Sequence, residues 1–147
     1  MSHEWARGGY RVSTDPLLLD VDVVHGYLTR SYWAEGIPRA LVERSIRNSL
    51  CFGVYDDRQQ VGFARVVTDR ATFAYLADVF VLETHRKRGL SKWLLECVLS
   101  HPELQGLRRW QLATKDAHTL YARFGFEAPE PGNLMEIRRR DAYRQAS

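Results

Sequence analysis

The middle of the chain constrains the fold most. From Leu50 to Leu82 it reads LCFGVYDDRQQVGFARVVTDRATFAYLADVFVL, three runs dense in Val, Phe and Tyr split by the turn signals Asp56-Asp57 and Thr68-Asp69. That pattern predicts an antiparallel meander. The third run, from about Thr72 to Leu82, passes without a break into THRKRGLSKWLL, where Leu90, Leu94, Cys97 and Val98 recur at helical spacing. A strand, a strongly basic turn and a buried helix therefore meet at one point.

The flanks add simpler elements. After a polar lead, residues 10–14 read as a short strand and 20–29 as a helix carrying Val21, Val24 and Leu28 on one face. In GIPRALVERSIRNSL, Pro38 suits a first helical turn; Leu41, Ser45, Ile46 and Leu50 define one face and Arg39, Glu43, Arg44 and Arg47 the other. Downstream, residues 108–114 predict a strand, 116–125 a helix closed by Gly125, and NLMEIRR (133–139) a last strand.

A chain of 147 residues, 45% hydrophobic, falls within the usual size of one domain, and neither a repeat nor a linker divides it, so a single domain over 1–147 is expected. With 21 Lys and Arg against 18 Asp and Glu the net charge is only +3, which gives no overall case for nucleic acid. The basic clusters HRKR, Arg108-Arg109 and Arg138 to Arg140 are separated by acidic residues and match no nucleic-acid motif. Cys51 and Cys97 sit in apolar surroundings, as reduced core thiols would. No apolar run approaches the roughly 20 residues of a membrane span, and MSHEWARGGYR lacks a signal peptide's hydrophobic centre. A cytoplasmic protein without membrane partners is the expectation.

The basic turn carries the functional information. A helix start leaves backbone N–H groups without intrahelical partners and holds roughly half a positive charge, so it attracts anions. Arg86, Lys87 and Arg88 add cations there, and Gly89 permits close approach to the backbone. Taken alone, the run reads equally well as solvated charge ahead of a helix.

Its surroundings decide the matter, because VFVLETHRKRGLSKWLL resembles the acyl-CoA loop of the GNAT N-acetyltransferase superfamily, whose pattern is Arg/Gln-x-x-Gly-x-Gly/Ala. Arg86, Gly89 and Ser91 occupy the defined positions, the last with one extra hydroxyl. A second element, TKDAHTLYARFGF, is similar to the superfamily's later motif through Ala117, Leu120, Tyr121, Gly125 and Phe126. Where relatives often carry an asparagine seven residues before the tyrosine, this chain has Thr114. The resemblance spans roughly residues 10–139. It implies an α+β fold with a mixed, mostly antiparallel sheet of about six or seven strands and about four helices. It also implies acetyl-CoA as co-substrate, with the backbone of Val79, Phe80 and Val81 along the pantetheine arm, the amides of Lys87, Arg88, Gly89, Leu90, Ser91 and Lys92 on the pyrophosphate, and Thr114 as a further cofactor contact.

Acyl transfer to an amine needs a base, a polarised carbonyl and protonation of the departing thiolate. By the same resemblance Asp78 is the candidate base, Tyr121 the proton donor to sulfur, and the N–H of Phe80 or Val81 the donor to the thioester oxygen if the strand bulges. Glu35, Asp69 and His85 are the alternative bases, and Asp78 reads otherwise as a carboxylate paired with Arg65. His85 reads more readily as packing. His3, His25, His101 and His118 show neither i,i+4 pairing nor cysteine company, so no metal is expected. Trp93 and Trp110 read as core, whereas Tyr32 and Trp33 fall where relatives place the acceptor lip. A small-molecule or peptide amine is the implied partner, and a homodimer stays open. The competing reading is a non-catalytic acyl-CoA-binding sensor or interaction module, which would keep the loop without needing Asp78 or Tyr121.

Overall fold

The computed structural model describes residues 1–145. Six strands form one sheet whose spatial order follows the chain: β1 (Glu4–Arg7), β2 (Tyr10–Ser13), β3 (Leu50–Asp56), β4 (Gln59–Thr68), β5 (Phe73–Val81) and β6 (Arg109–Leu112). Neighbours are antiparallel except for β5 and β6, which run parallel. Among the described residues five α-helices accompany them: α1 (Val21–Leu28), α2 (Arg39–Arg47), α3 (Leu90–Ser100), α4 (His118–Ala122) and α5 (Ala142–Gln145). This is the mixed, mainly antiparallel α+β architecture expected.

Alternation along the strands supplies a core on each face. On one face Val12, Phe52, Val54, Leu76 and Val81 pack with Leu90, Trp93, Leu94 and Val98 of α3. On the other, Cys51, Phe63 and Phe80 pack with Val24 and Leu28 of α1 and Val42 of α2. Both cysteines are free and buried; burial pushes the Cys51 thiol up to about 12 and Cys97 up to about 11, as inert core thiols require.

The start of α1 is fixed twice. The Asp20 carboxylate accepts the N–H of Asp22 at 3.0 Å, while the Asp20 N–H donates to the buried Gln60 Oε1 at 2.7 Å. Gln60 Nε2 in turn donates to the Gly62 carbonyl, so one amide ties the helix start to β4.

Four expectations need correction. The polar lead contains β1, which forms a hairpin with β2 through Gly8 and Gly9 at φ 55° and 86°, a pairing that suits a two-residue turn. Pro38 precedes α2, and its carbonyl accepts the N–H of Leu41 and Val42. The residue of α2 that is fully buried is Val42, with Leu41 and Ile46 only half covered. No strand forms over residues 133–139: β6 pairs only with β5, and Leu134, Met135 and Ile137 lie exposed. Alternating apolar residues make a strand only when a neighbour takes up their backbone bonds. Among the described residues no helix is long and apolar enough to cross a membrane.

Candidate active site

β5 and β6 diverge. Only Phe73 to Leu76 have partners in β6, ending at Leu112, so residues 77–81 of β5 meet β4 on one side and a cleft on the other. An extended backbone has hydrogen-bonding groups along both edges, which leaves that half-strand open to pair with an extended ligand.

The same half-strand is bulged. Phe63 pairs with Phe80 and Arg65 with Ala77, so Ala64 faces both Asp78 and Val79, and Asp78 adopts φ 56°. The extra residue inverts the alternation: Ala74 and Leu76 face α3, Val81 does so again, and Phe80 turns to the opposite face to stack on Tyr27 at 4.0 Å. At the apex the Asp78 carboxylate accepts Trp33 Nε1–H at 2.9 Å on one oxygen and Arg65 Nε–H at 2.8 Å on the other. Arg65 also donates to Ser49 Oγ at 3.1 Å. The Arg65 pairing read from sequence therefore exists. A carboxylate has about four acceptor positions, so two remain.

Around the bulge lies a cleft of about 1660 Å³. One wall is the end of α1, the α1–α2 loop with Tyr32 and Trp33, and the α2 face carrying Leu41, Arg44, Ser45 and Asn48. The other is the β6–α4 loop with Thr114, followed by Tyr121, and Glu136 to Arg138 complete the rim. Tyr32 reaches across: its hydroxyl accepts the Lys115 N–H at 3.3 Å, and the Lys115 ammonium sits 5.4 Å from its ring centre. Thr114 Oγ1 accepts the Ala117 N–H at 3.0 Å and so shapes the turn into α4. Burial raises the Tyr121 phenol above its ordinary value, with Tyr32 and Asp116 acting in the same direction.

At the end of β5 the basic turn opens α3. Gly89, at φ 75°, carries no side-chain cap, and the first turn holds no acidic residue, so the N–H groups of Leu90, Ser91 and Lys92 lack intrahelical partners. A Cβ built on Gly89 would meet nothing within 4 Å. An anion can thus approach the helix start, and these residues fit a phosphate. The three cations are less free than their sequence suggests: Arg86 donates to the Val81 carbonyl and the Tyr27 hydroxyl, and Arg88 donates to the Tyr10 hydroxyl at 2.6 Å. Lys87, at φ 64°, is exposed, as is Lys92; Leu90 is buried in the core and contributes only backbone.

Of the predicted residues, the cleft gathers Asp78, Val79, Arg86, Thr114 and Tyr121 with Tyr32 and Trp33. It leaves out all three alternative bases. Asp69 accepts the N–H groups of Ala71, Thr72 and Phe73 and the Thr72 hydroxyl, which hold its carboxyl well below the usual range; it is a turn cap. His85 Nδ1 bonds Tyr10 at 3.0 Å in an edge-on pair, and Glu35 is exposed outside the cleft wall. The carboxylates that do line it besides Asp78 are Glu83, Asp116 and Glu136, none singled out from sequence. Arg30, Arg44 and Arg138 were also missed; only Asp116, within the later motif, had a local signal.

Comparison with known proteins gives the arrangement its family. The Acetyltransferase (GNAT) domain model matches residues 47–128, more than half the chain. A crystal structure from Xanthomonas campestris pv. campestris assigned to the GNAT acetyltransferases is 54% identical, covers 94% of this chain and 99% of that one, and superposes with a TM-score of 0.90. A Gibberella zeae protein named as an acetyltransferase is 36% identical over 81% of this chain and 79% of its own length. A Clostridium acetobutylicum structure assigned to the acetyltransferases and containing acetyl-CoA shares the fold at 14% identity, with a TM-score of 0.63 and coverage of 94% and 96%. The diverging strands, the anion-ready helix start and these matches agree: the chain belongs to the GNAT acetyltransferase family.

Proposed function

We propose that the protein transfers an acetyl group from acetyl-CoA to a primary amine by direct attack within a ternary complex, with residues 1–147 acting as one catalytic domain. The divergence of β5 from β6 beside the bulged Asp78 carries this reading, since it places an open strand edge, a carboxylate and the Tyr121 phenol around one cleft. Acetyl-CoA supplies the activated acyl group.

The chain's own residues divide the work. The free edge of residues 77–81 would hold the pantetheine arm by backbone pairing, with the N–H of Phe80 or Val81 directed at the thioester oxygen. Amides of Lys87 to Lys92 would bind the pyrophosphate, aided by Lys87 and Lys92, and Thr114 would contact the cofactor from the opposite wall. Asp78 takes the amine's proton, directly or through water, and Tyr121 donates to the departing sulfur. Tyr32 and Trp33 bound the acceptor.

Acetyl-CoA at about a hundred times its Kd is expected to raise Tm by about 5–10 °C, because binding selective for the folded state adds about 2.7 kcal/mol to a domain of this size. No shift in folded protein removes the cofactor assignment. A shift without amine-dependent CoA release from any acceptor makes the protein a binding module. The phosphate position has its own test in Gly89→Ala, which places an L-residue at φ 75° and should cost about 1 kcal/mol of stability. Acetyl-CoA affinity in that variant should fall about tenfold, since the backbone must shift to relieve the strain. Unchanged affinity would locate the phosphates elsewhere.

A further inference from the structure

The acceptor side of the cleft is unevenly charged. Arg30 at the end of α1, Arg44 on α2 and Arg138 on the segment after α4 all line it, and none of the three guanidinium groups has an ion pair or hydrogen bond among the described residues. The carboxylates of the cleft are fewer, four against six Arg and Lys: Asp78 is bound to Arg65, Glu83 and Asp116 come from the segments after β5 and β6, and Glu136 lies on the rim near Arg138. The helix dipole favours a cation at the C-terminal end of α2, where Arg44 lies, and just beyond that of α1, where Arg30 lies. It does not explain Arg138, nor why cations from three different segments line one cleft.

Resting on the acetyl-transfer reading, we infer that the acceptor is an amine that also carries an anionic group, a carboxylate or a phosphate, with Arg30, Arg44 and Arg138 receiving the anion while the amine faces Asp78. Guanidinium groups suit this role because their fork of donors matches both anions. The α1–α2 loop between Arg30 and Arg44, with Tyr32 and Trp33, supplies the apolar contact for the carbon skeleton between the two charges.

The test is CoA release with ethylamine, ethylenediamine, β-alanine and 2-aminoethyl phosphate at matched concentrations and low salt. β-Alanine or aminoethyl phosphate should exceed ethylamine by about tenfold or more in kcat/KM, with ethylenediamine lowest, and which anionic amine leads distinguishes carboxylate from phosphate. Arg44→Gln and Arg138→Gln should each reduce the preference, with acetyl-CoA affinity unchanged, and added salt should reduce it too. Inorganic phosphate or propionate should compete with the amine and leave the acetyl-CoA KM unaltered. Turnover of ethylamine equal to that of the anionic amines would remove the anion subsite and leave acetyl transfer standing. Weakened acetyl-CoA binding in the arginine variants would assign those cations to the cofactor instead. Failure of every amine, in protein that shows no thermal shift with acetyl-CoA, would remove both conclusions.

Discussion

Asp78→Asn is expected to lower kcat by about 10² to 10⁴ and to abolish the acidic limb of the pH–rate profile. The carboxamide can still accept from Trp33 through its oxygen, but its NH2 then faces the Arg65 guanidinium, donor against donor. Arg65 is only 20% exposed, so losing its counter-charge should also cost stability, on the order of 1–3 kcal/mol. A fall in rate could therefore reflect a collapsed bulge rather than a missing base. Arg65→Met separates the two. It keeps the carboxylate and removes the brace, so if Asp78 is the base kcat is largely retained; if Asp78 only braces the bulge, Arg65→Met repeats the loss of Asp78→Asn and KM for the amine rises as the Trp33 loop loosens. An Asp78→Asn enzyme with near-normal kcat and an intact acidic limb would eliminate Asp78. Glu136, on the rim of the same cleft, would then be the next residue to replace.

That ambiguity shows where sequence reading stops. The meander was legible because its three runs are joined by short turns, so chain order and spatial order coincide. The helix after the basic turn was legible from the spacing of Leu90, Leu94, Cys97 and Val98, which all face the core. The bulge left a weaker trace: Ala74 and Leu76 are even-numbered on the α3 face and Val81 is odd, a break in period that a run apolar on both faces hides. Local capping misled in the other direction. Asp69 looked chemically available because its type is that of a base, yet the backbone of its own turn consumes it. NLMEIRR had the right alternation but no neighbouring strand, and pairing is a property of the partner as much as of the segment. Glu136, Arg30 and Arg44 reach the cleft from separate segments, so spacing in the chain could not announce them.

Tyr121→Phe should lose about 10²-fold in kcat, the low end for a group that assists proton transfer, with acetyl-CoA affinity retained. The ring stays, and with it the edge-on contact to Phe126 at 5.9 Å, so the variant should fold normally. The size of the loss follows from pKa matching. The phenol lies above its ordinary value of about 10, whereas a thiol's reference value is about 8.5, so full proton transfer to the departing sulfur runs uphill and Tyr121 acts mainly by hydrogen-bonding the charge as it forms. Two consequences can be measured. Because burial raises the phenol, any alkaline limb in kcat that comes from Tyr121 should lie at higher pH than for an exposed tyrosine. The deficit of Tyr121→Phe should also shrink with a thioester whose leaving thiol has a lower pKa, since less charge then needs support. A deficit independent of the leaving group would mean that Tyr121 does not support the departing sulfur but positions the acceptor. KM for the amine, rather than kcat, would then carry the change.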